Sequence, residues 1–458
     1  MKSTVCFFDD YFIMSRPGTV RRVFRPERLG ILEDDKSGLQ CYTSMFYDPI
    51  VKKLRLYVDI PHFSDDTEIR DLVLFEGDKI EDFIGNGSKL KRTVVKGFDN
   101  FVHGASVFYD ERATDPNKRY VFAGDVNAND RSKQRLAIAF SPDGISFSQI
   151  TPIYPSGSDT YNSLYFDQGQ EEYVLTMRSA WGDRRISVMR STDLINWSKP
   201  QMILHPTACN GEGLEYYAFG VSRVDGVYYG LNWKFLTDIA SGDLSNMCGY
   251  MENEIYYSYD GNAWAKINGL DPVVDRPLPP EYGSKQLWLS NVVDDGLGRT
   301  ILVGGAARIA HASAYEKDDK FVKTAFYSVR KNGLVGLEGF GKDSKVTTKN
   351  FVFNGGDLTI NCNAVLGSVS VAVLTPSGQV IEGFSHEDCI AKRGEDVIDG
   401  KVEWKNANLD SLKGKRVRFE VVLNNAYLFS LSYDGSPSPN GWSVQNGYYN
   451  PLPKQVNK

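Results

Sequence analysis

IAFSPDGISF at residues 138–147 recurs as VMRSTDLINW at 188–197 and as IYYSYDGNAW at 255–264. Each copy is an apolar run followed by Ser, with Asp two residues later and an aromatic residue six after the Ser. Asp accepts hydrogen bonds from the backbone N–H groups that follow it, and Gly permits a positive φ. The pattern therefore predicts a strand that ends in a tight turn, with the aromatic ring packed between neighbouring sheets.

Two weaker copies extend the series: LVLFEGDKIEDF (72–83) and AFYSVRKNGLVGL (325–337). Helical periodicity is scarce, and short runs rich in Val, Tyr, Phe and Leu alternate with Gly, Asp, Asn and Pro, so the chain is predicted to be all-β. One repeat fits one four-stranded blade, and five repeats predict a five-bladed β-propeller over roughly residues 10–340. The repeat anchors lie near residues 76, 141, 191, 258 and 328.

The pattern of apolar and polar residues changes after about residue 345. Apolar and polar residues alternate cleanly in SVSVAVLTPSGQVI (368–381) and VRFEVVLNNAYLFSLSY (417–433), with PSG and NN as hairpin turns. This alternation predicts a small β-sandwich. The expected domains are a propeller at 1–342, a β-sandwich at 343–435 and an extended C-terminal tail at 436–458.

Composition narrows the classes of function. The chain has 458 residues and a formal net charge of -6, with scattered Lys and Arg, which argues against a nucleic-acid partner. Asp9 and Asp10 interrupt the first apolar stretch, and no run is long enough to span a membrane, so a soluble, cytoplasmic protein is expected. The six cysteines are widely spaced, which indicates free thiols, and no metal site or cofactor is expected. The sandwich is a candidate surface for homo-oligomer contacts.

In a propeller the first strand of each blade lines the central channel, so residues that begin these strands converge on one mouth. Counting back from the repeats places the five strand starts as follows: Cys41–Thr43, Val102–Gly104, Asp159–Asn162, Glu215–Tyr217 and Gln286–Trp288.

These turns, the strand EYYAFGVSRVDGVYYGLNW (215–233) and the appended sandwich resemble the five-bladed propeller glycoside hydrolases of families 32, 43 and 68. The resemblance covers nearly the whole chain. It implies carboxylates from three blades: a nucleophile or base, a modulator and a Glu general acid. The chain departs from the family in the first two blades, where LQCYTSMF (39–46) and FVHGASVF (101–108) replace the family's Asp motifs.

The resemblance places the general acid at Glu215 in GEGLEYY (211–217), with Glu212 as the competing choice. Asp159 opens the third inner strand and is the candidate nucleophile or base. Asp99 precedes the second inner strand, and Asp10 lies in an N-terminal segment that could pass the mouth on its way to the first blade. Asp99 and Asp10 are the candidates for orienting the substrate. Because the family's Asp motifs are missing, the Asp9–Asp10 pair is also a candidate nucleophile.

Seven further residues are candidates for holding a sugar. Hydroxyl groups can be bound by polar side chains, and an arginine would suit an anionic sugar, although every such group can equally satisfy the neighbouring backbone. The tryptophans are candidates for stacking on a sugar face, with inter-blade packing as the alternative. The candidates are Tyr42, His103, Asn162, Arg178, Tyr217, Trp233 and Trp288.

The sequence thus predicts a glycoside hydrolase that cleaves a small oligosaccharide with paired carboxylates. A furanoside such as a fructoside or arabinoside is the substrate that the resemblance implies. A transglycosylase or phosphorylase would use the same pocket with a different acceptor. The missing Asp motifs keep open a third reading, a propeller that binds carbohydrate without catalysis.

Overall fold

A computed structural model describes residues 2–34, 40–64, 67–85, 90–99, 101–127, 133–179, 183–207, 213–237, 248–310, 322–341 and 343–437. No α-helix occurs in these ranges, and their 3₁₀ helices span Ile80–Asp82, Pro116–Lys118 and Leu409–Leu412. The all-β prediction is confirmed for this part of the chain.

The described residues divide into two compact units. The larger unit is Arg25–Val329, and the smaller unit combines the residues up to Phe24 with those from Arg330 onward. The chain begins in the smaller unit with three strands: β1 (Lys2–Cys6), β2 (Ile13–Ser15) and β3 (Thr19–Val23). The first 24 residues, expected in the propeller, therefore cluster with the C-terminal part of the chain.

The larger unit contains three four-stranded antiparallel sheets and one eight-stranded sheet, which is joined in its middle by a single parallel bridge between Met251 and Gln286. We divide the eight-stranded sheet at this bridge and number the resulting strand groups 1 to 5. The first strand of the larger unit is β4 (Glu27–Ile31), which does not belong to group 1. Group 1 contains β5 (Thr43–Asp48), β6 (Lys53–Ser64), β7 (Thr67–Gly77) and β8 (Arg92–Val94). Group 2 contains β9 (Val102–Tyr109), β10 (Tyr120–Val126), β11 (Arg135–Ser141) and β12 (Ser148–Pro152). Group 3 contains β13 (Leu164–Asp167), β14 (Glu172–Met177), β15 (Ile186–Ser191) and β16 (Gln201–Leu204).

Group 4 contains β17 (Leu214–Val224), β18 (Val227–Thr237), β19 (Gly249–Ser258) and β20 (Ala265–Lys266). Group 5 contains β21 (Gln286–Asp294), β22 (Arg299–Ala307), β23 (Val322–Arg330) and, as its outer strand, the early β4. Using a strand from the start of the unit to complete its last sheet links the two ends of this unit by backbone hydrogen bonds.

A belt of hydrogen bonds joins the first strands of the groups. One side chain in or next to each first strand bonds the backbone of the next first strand, and a side chain of group 5 bonds the backbone of group 1. These bonds link the inner strands of the five groups in turn. The members of the belt are Ser44 with Val107, Ser106 with Leu164, Ser163 with Val221, Ser222 with Val292, and Asn291 with Met45, at 2.9–3.3 Å.

The core lies between neighbouring groups. One apolar cluster joins groups 1 and 2 around Tyr57 and Phe122, and another joins groups 5 and 1 around Phe75 and Phe326. Similar clusters join groups 2 and 3 and groups 3 and 4. Groups 1, 2 and 3 therefore bury both faces of their sheets against their neighbours, and burial of apolar surface is the main source of stability expected for such packing.

The repeated turns form as predicted, each directly after a third strand. Asp143 accepts hydrogen bonds from the backbone N–H groups of Ile145 and Ser146, at 2.8 and 2.9 Å. Asp193 and Asp260 make the equivalent bonds. The anchors near 76 and 328 also lie at the ends of third strands. The repeat therefore marks the same position in all five groups.

The smaller unit continues with β24 (Val335–Gly339), β25 (Lys345–Thr348), β26 (Phe351–Phe353), β27 (Thr359–Asn363), β28 (Ser368–Leu374), β29 (Lys392–Arg393), β30 (Asp396–Lys401), β31 (Arg416–Asn424) and β32 (Ala426–Pro437). β32 pairs with β1, β24 and β27, whereas β31 pairs with β25 and β28, and the short β26 pairs with both long strands.

Strand pairing explains where the units divide. β1, β2 and β3 pair with β32, β25 and β24, so the N-terminal residues complete the C-terminal sheets. β24 starts at Val335, ahead of the boundary expected at 342. Alternate residues of β31 are buried, as its sequence pattern indicated. Of the expected tail, residues 436–437 belong to β32, and residues 438–458 lie outside the described ranges.

Candidate functional site

The first strands of the five groups begin at one end, which we call the mouth end, and finish at the other, the far end. The predicted strand starts agree closely with those observed at Thr43, Val102, Leu214 and Gln286, whereas β13 begins at Leu164, slightly later than expected. Residues chosen from the sequence as strand starts therefore gather at the mouth end.

An aromatic layer fills the space between the inner strands at this end. Trp233 lies at its centre, 1% exposed, and its ring is 5.8 Å from Tyr42, 5.7 Å from Tyr161 and 6.2 Å from Tyr217. Trp288 lies 6.3 Å from Trp233. The indole N–H groups of Trp233 and Trp288 donate to the backbone oxygens of Leu289 and Cys41. The tryptophans thus pack as core in this structure.

His103 lies at the edge of this layer. Its ring is 5.0 Å from that of Tyr42, in an edge-on arrangement, and its Nδ1 is 3.6 Å from Oδ2 of the buried Asp125. Asp125 also accepts hydrogen bonds from the backbone N–H groups of Ser158 and Asp159, at 2.8 Å each. One buried carboxylate therefore fixes the positions of both the His103 and the Asp159 segments.

A second buried carboxylate, Asp59, supports the start of β9 from group 1. Its Oδ2 accepts from the backbone N–H of Gly104 at 3.0 Å and lies 3.8 Å from the guanidinium of Arg70. Gly104 has a φ of +61°, and a Cβ at this position would lie 1.7 Å from the backbone oxygen of Thr160. Only glycine fits where these two inner strands approach each other.

Asp159 and Glu215 each pair with an arginine. Asp159 Oδ2 lies 3.4 Å from Arg178 Nη1, and its side chain is 62% exposed. Glu215 forms a close ion pair with Arg184 and is 20% exposed. The Arg178 and Arg184 guanidinium carbons lie 4.5 and 5.2 Å from the ring centroid of Tyr217. The two arginines that pair with Asp159 and Glu215 thus both lie near one aromatic ring.

Burial and neighbouring groups change the pKa values of two tyrosines in the aromatic layer. Burial, together with the neighbouring Tyr217 and Asp159, raises the pKa of Tyr42 well above its usual value. Burial also raises the pKa of Tyr161 to about 12, so both phenols stay protonated. The floor of the site is therefore uncharged, and its charges lie at the periphery.

The remaining candidates are placed differently. Asn162 is buried and donates to the backbone oxygens of Gly104 and Thr160, so it ties two inner strands together. Asp99 is exposed in the segment before β9. Asp10 belongs to the smaller unit, where Arg16 and Arg21 hold its pKa below the usual value, although partial burial raises it. Glu212 lies outside the described residues.

Sequence reasoning missed Asp59, Asp125, Arg70 and Arg184. The two aspartates lie on second strands, within the otherwise apolar runs LYVDI and YVFAGDV. A charge in an apolar strand requires a partner, because burying an unpaired charge is costly. That signal marked both positions as parts of a polar network, although the identity of the partners depends on the fold.

Neither a metal site nor a membrane segment emerges from the described ranges. There, no three His, Cys, Asp or Glu side chains are arranged to hold a metal ion. Helices of the length and apolarity needed to cross a membrane are likewise not found among those residues. The cysteines at positions 6, 41, 248, 362 and 389 are free thiols, and Cys209 lies outside the described residues.

No protein-family model and no curated protein matches this sequence. Among solved structures, the chain is similar to an α-L-arabinofuranosidase from Podospora anserina, with 11% identity, a TM-score of 0.43, and 67% of this chain and 96% of that one covered. It is also similar to a fructofuranosidase from Schwanniomyces occidentalis, with 11% identity, a TM-score of 0.43, and coverage of 88% and 96%.

A third similar structure is an N-acetylgalactosamine deacetylase from F. plautii, solved with blood group B trisaccharide. It is 10% identical, with a TM-score of 0.46 and coverage of 69% of this chain and 97% of that one. Glycoside hydrolases, the group that the sequence motifs resemble, are thus among the structures to which this chain is similar.

Proposed function

We propose that this protein is a glycoside hydrolase that cleaves a small oligosaccharide at the mouth end of the larger unit. We also infer that groups 1 to 5 are the blades of a five-bladed propeller and that the smaller unit is a β-sandwich. The observation that carries the functional proposal is that Asp159 and Glu215, from two neighbouring groups, pair with Arg178 and Arg184, and that both arginines lie over the ring of Tyr217 at the mouth end.

The chemistry requires a proton donor for the leaving oxygen and a second carboxylate that attacks the anomeric carbon or activates water. Glu215 takes the first role, because it is the less exposed of the two carboxylates, and Asp159 takes the second. Asp99 is proposed to orient the substrate from the segment before β9. Tyr42, Tyr217 and His103 line the uncharged floor, where aromatic rings suit the apolar faces of a sugar.

The ion pair with Arg184 affects the assignment of Glu215 as the general acid. Arg184 pairs with Glu215, whereas a general acid must contact the leaving oxygen of the substrate. We propose that substrate binding displaces Arg184 from Glu215 so that the carboxyl group can contact that oxygen. A furanoside is the proposed substrate class, on the sequence resemblance alone. Transfer to a sugar or to phosphate in place of water remains the enzymatic alternative.

The second candidate function is carbohydrate binding without catalysis. Two observations favour it: Asp159 and Glu215 are each paired with an arginine, and the layer behind them is filled by aromatic side chains. A binding protein needs only the aromatic surface and the hydrogen-bonding groups. The two functions differ in whether a glycosidic bond is broken.

The test measures monosaccharide release from arabinosidic, fructosidic, xylosidic and galactosidic oligosaccharides by the wild type, Glu215→Gln and Asp159→Asn. Loss of one catalytic carboxylate is expected to lower kcat by about 100-fold or more. Glu252→Gln is a matched control, since Glu252 pairs with Lys234 on the neighbouring strands of group 4. Release by the wild type that persists in both variants contradicts the roles assigned here. Sugar binding without any release supports the second function.

A further inference from the structure

The smaller unit contains a serine, a histidine and a glutamate joined by hydrogen bonds, away from the residues proposed for hydrolysis. Ser370 Oγ lies 3.0 Å from His386 Nδ1, and His386 Nε2 lies 3.1 Å from Glu420 Oε1. Both distances are those of ordinary hydrogen bonds. A hydroxyl beside a base, with the base oriented by a third group, is the arrangement that activates a serine as a nucleophile.

Strand register places the serine and the glutamate on the same face of one sheet. Ser370 of β28 lies opposite Val422 of β31, and Glu420 is two residues from Val422 on that strand. Residues two apart on a strand point to the same face, and so do directly opposite residues on neighbouring strands. His386, in the connection between β28 and β29, contacts both side chains over this face.

The connection that carries His386 is anchored to β28 on both sides of the histidine. The backbone N–H of Val373 donates to the backbone oxygen of Phe384 at 3.0 Å. The backbone N–H of Val371 donates to the sulfur of Cys389 at 3.3 Å. These contacts fix the histidine segment against the strand that carries the serine, so the pair is positioned before any substrate binds.

The chemistry of the three groups sets the direction of both hydrogen bonds. Burial alone would raise the pKa of Glu420, but the hydrogen bond from His386 and the charge of Lys345, 3.3 Å from Glu420 Oε1, hold it below the usual value. An ionised carboxylate only accepts hydrogen bonds, so His386 Nε2 donates to it. In the neutral imidazole Nδ1 is then an acceptor, and the hydroxyl of Ser370 donates to it. The serine proton therefore points at the atom that can remove it.

Exposure limits the size of the substrate. The side chains of His386 and Glu420 are 21% and 19% exposed, and Ser370 is partly buried. A small acyl group can reach the serine at such a position, whereas a long acyl chain would need an apolar channel to cover it. An ester suits the site better than an amide, because an alcohol leaves more readily than an amine.

We propose that Ser370, His386 and Glu420 form a site that hydrolyses acetyl esters of small alcohols. Ser370 Oγ attacks the ester carbonyl carbon, and its proton passes to Nδ1 of His386. The bond from that carbon to the alcohol oxygen breaks, and the alcohol leaves with the proton from His386. Water then gives a proton to Nδ1 and attacks the acetyl group on Ser370. That proton returns to Ser370 Oγ as acetic acid leaves.

Glu420 is a positioning residue in this scheme, since it acts through His386 and does not contact the substrate. The activity goes beyond the proposed hydrolysis of oligosaccharides and does not depend on it. The two reactions use different residues and break different bonds, so each can be measured without the other.

The test uses the full chain and p-nitrophenyl acetate, with p-nitrophenol release measured and the acid-quenched protein mapped by peptide mass spectrometry. We expect an acetyl group on Ser370 of the wild type, and kcat lowered at least about 100-fold in Ser370→Ala and in His386→Gln. Glu420→Gln is expected to lower kcat and to leave KM unchanged. Ser377→Ala is the matched control with wild-type turnover, because Ser377 is an exposed serine of the same unit that bonds the hydroxyl of Thr375 at 2.8 Å.

Acetylation of Ser370, together with turnover lost in both variants at unchanged urea midpoints, supports the proposal. Acetyl groups found only on other residues overturn it, as does turnover in Ser370→Ala equal to that of the wild type. Absence of p-nitrophenol release above the rate in buffer also overturns it. The acetylation site is read from the wild type, so a variant that fails to fold does not remove the test. A change in KM alone for Glu420→Gln contradicts its positioning role.

Discussion

The two ends of the inner strands are built by different kinds of interaction. At the far end, the turns after the third strands combine local bonds, such as those from Ile145 and Ser146 N–H to Asp143, with donors from a neighbouring group, such as Tyr57 to the Gly144 oxygen. At the mouth end, the decisive contacts join distant parts of the chain, such as Asp59 with Gly104 and Trp288 with Cys41. The comparison teaches that local bonds contribute to the structure of the far end, whereas the mouth end depends on contacts between distant groups.

Replacing one glycine at each end should show the largest difference. Gly104→Ala introduces a Cβ 1.7 Å from a backbone oxygen, so we expect destabilisation of more than about 4 kcal/mol. Gly226→Ala, in the far-end turn between β17 and β18, has the same left-handed backbone but ample space, so about 1–2 kcal/mol is expected. Urea denaturation of both variants measures the difference. Equal destabilisation would remove the distinction between the two ends.

Removing one hydrogen bond of the belt should have an intermediate effect on stability. Asn291→Ala removes the acceptor for the backbone N–H of Met45, at 3.1 Å, and so leaves a buried donor between groups 5 and 1 unsatisfied. A loss of about 1–3 kcal/mol is expected. Asn117→Ala, at an exposed position in the β9–β10 connection, is expected to change stability by less than about 0.5 kcal/mol. A urea midpoint for Asn291→Ala equal to that of this control would mean that the belt bond contributes nothing.

Protonating the carboxylates of the far-end turns at acid pH should have the smallest effect on stability. In Asp193 the backbone N–H of Asn196 is the main cause of a lowered pKa, and in Asp143 and Asp260 the turn hydrogen bonds lower the pKa despite burial. A carboxyl group whose folded pKa is depressed stabilises the protein above its unfolded pKa, about 3.9, and this contribution is lost as pH falls through the folded pKa.

We therefore expect the urea concentration at the unfolding midpoint to decrease as the pH is lowered from 6 to 3. Each turn is expected to contribute less than about 1 kcal/mol to the free energy of unfolding, because solvent screens these groups. A variant carrying Asp→Asn at all three turns should show a smaller fall than the wild type. If its fall is as large as that of the wild type, other carboxylates carry the acid sensitivity.

The mouth end also shows how much of the candidate site can be predicted from the sequence. Counting back from the turns located four strand starts to within one or two residues, because antiparallel strands of similar length fix that distance. The partners of Asp159 and Glu215 were not predictable. Arg178 and Arg184 come from the hairpin of group 3, and only the packing of group 3 against group 4 brings Arg184 beside Glu215.

The smaller unit teaches the same lesson about domain boundaries. Alternation in β31 and β28 was visible in the sequence because each strand buries one face. The membership of β1, β2 and β3 was not visible, since strand pairing between residues more than 300 positions apart leaves no local pattern. For the same reason Asp10, considered for the mouth, lies with Arg16 and Arg21 in this unit.

The sequence by itself determined the all-β character, the five repeated turns and the positions of the inner strands, because turn chemistry and strand periodicity depend on neighbouring residues. The tertiary structure alone decided that aromatic side chains fill the mouth end, that Asp159 and Glu215 each meet an arginine, and that β1, β2 and β3 pair with C-terminal strands. These features depend on which distant side chains share a space, and that is fixed only when the sheets pack together.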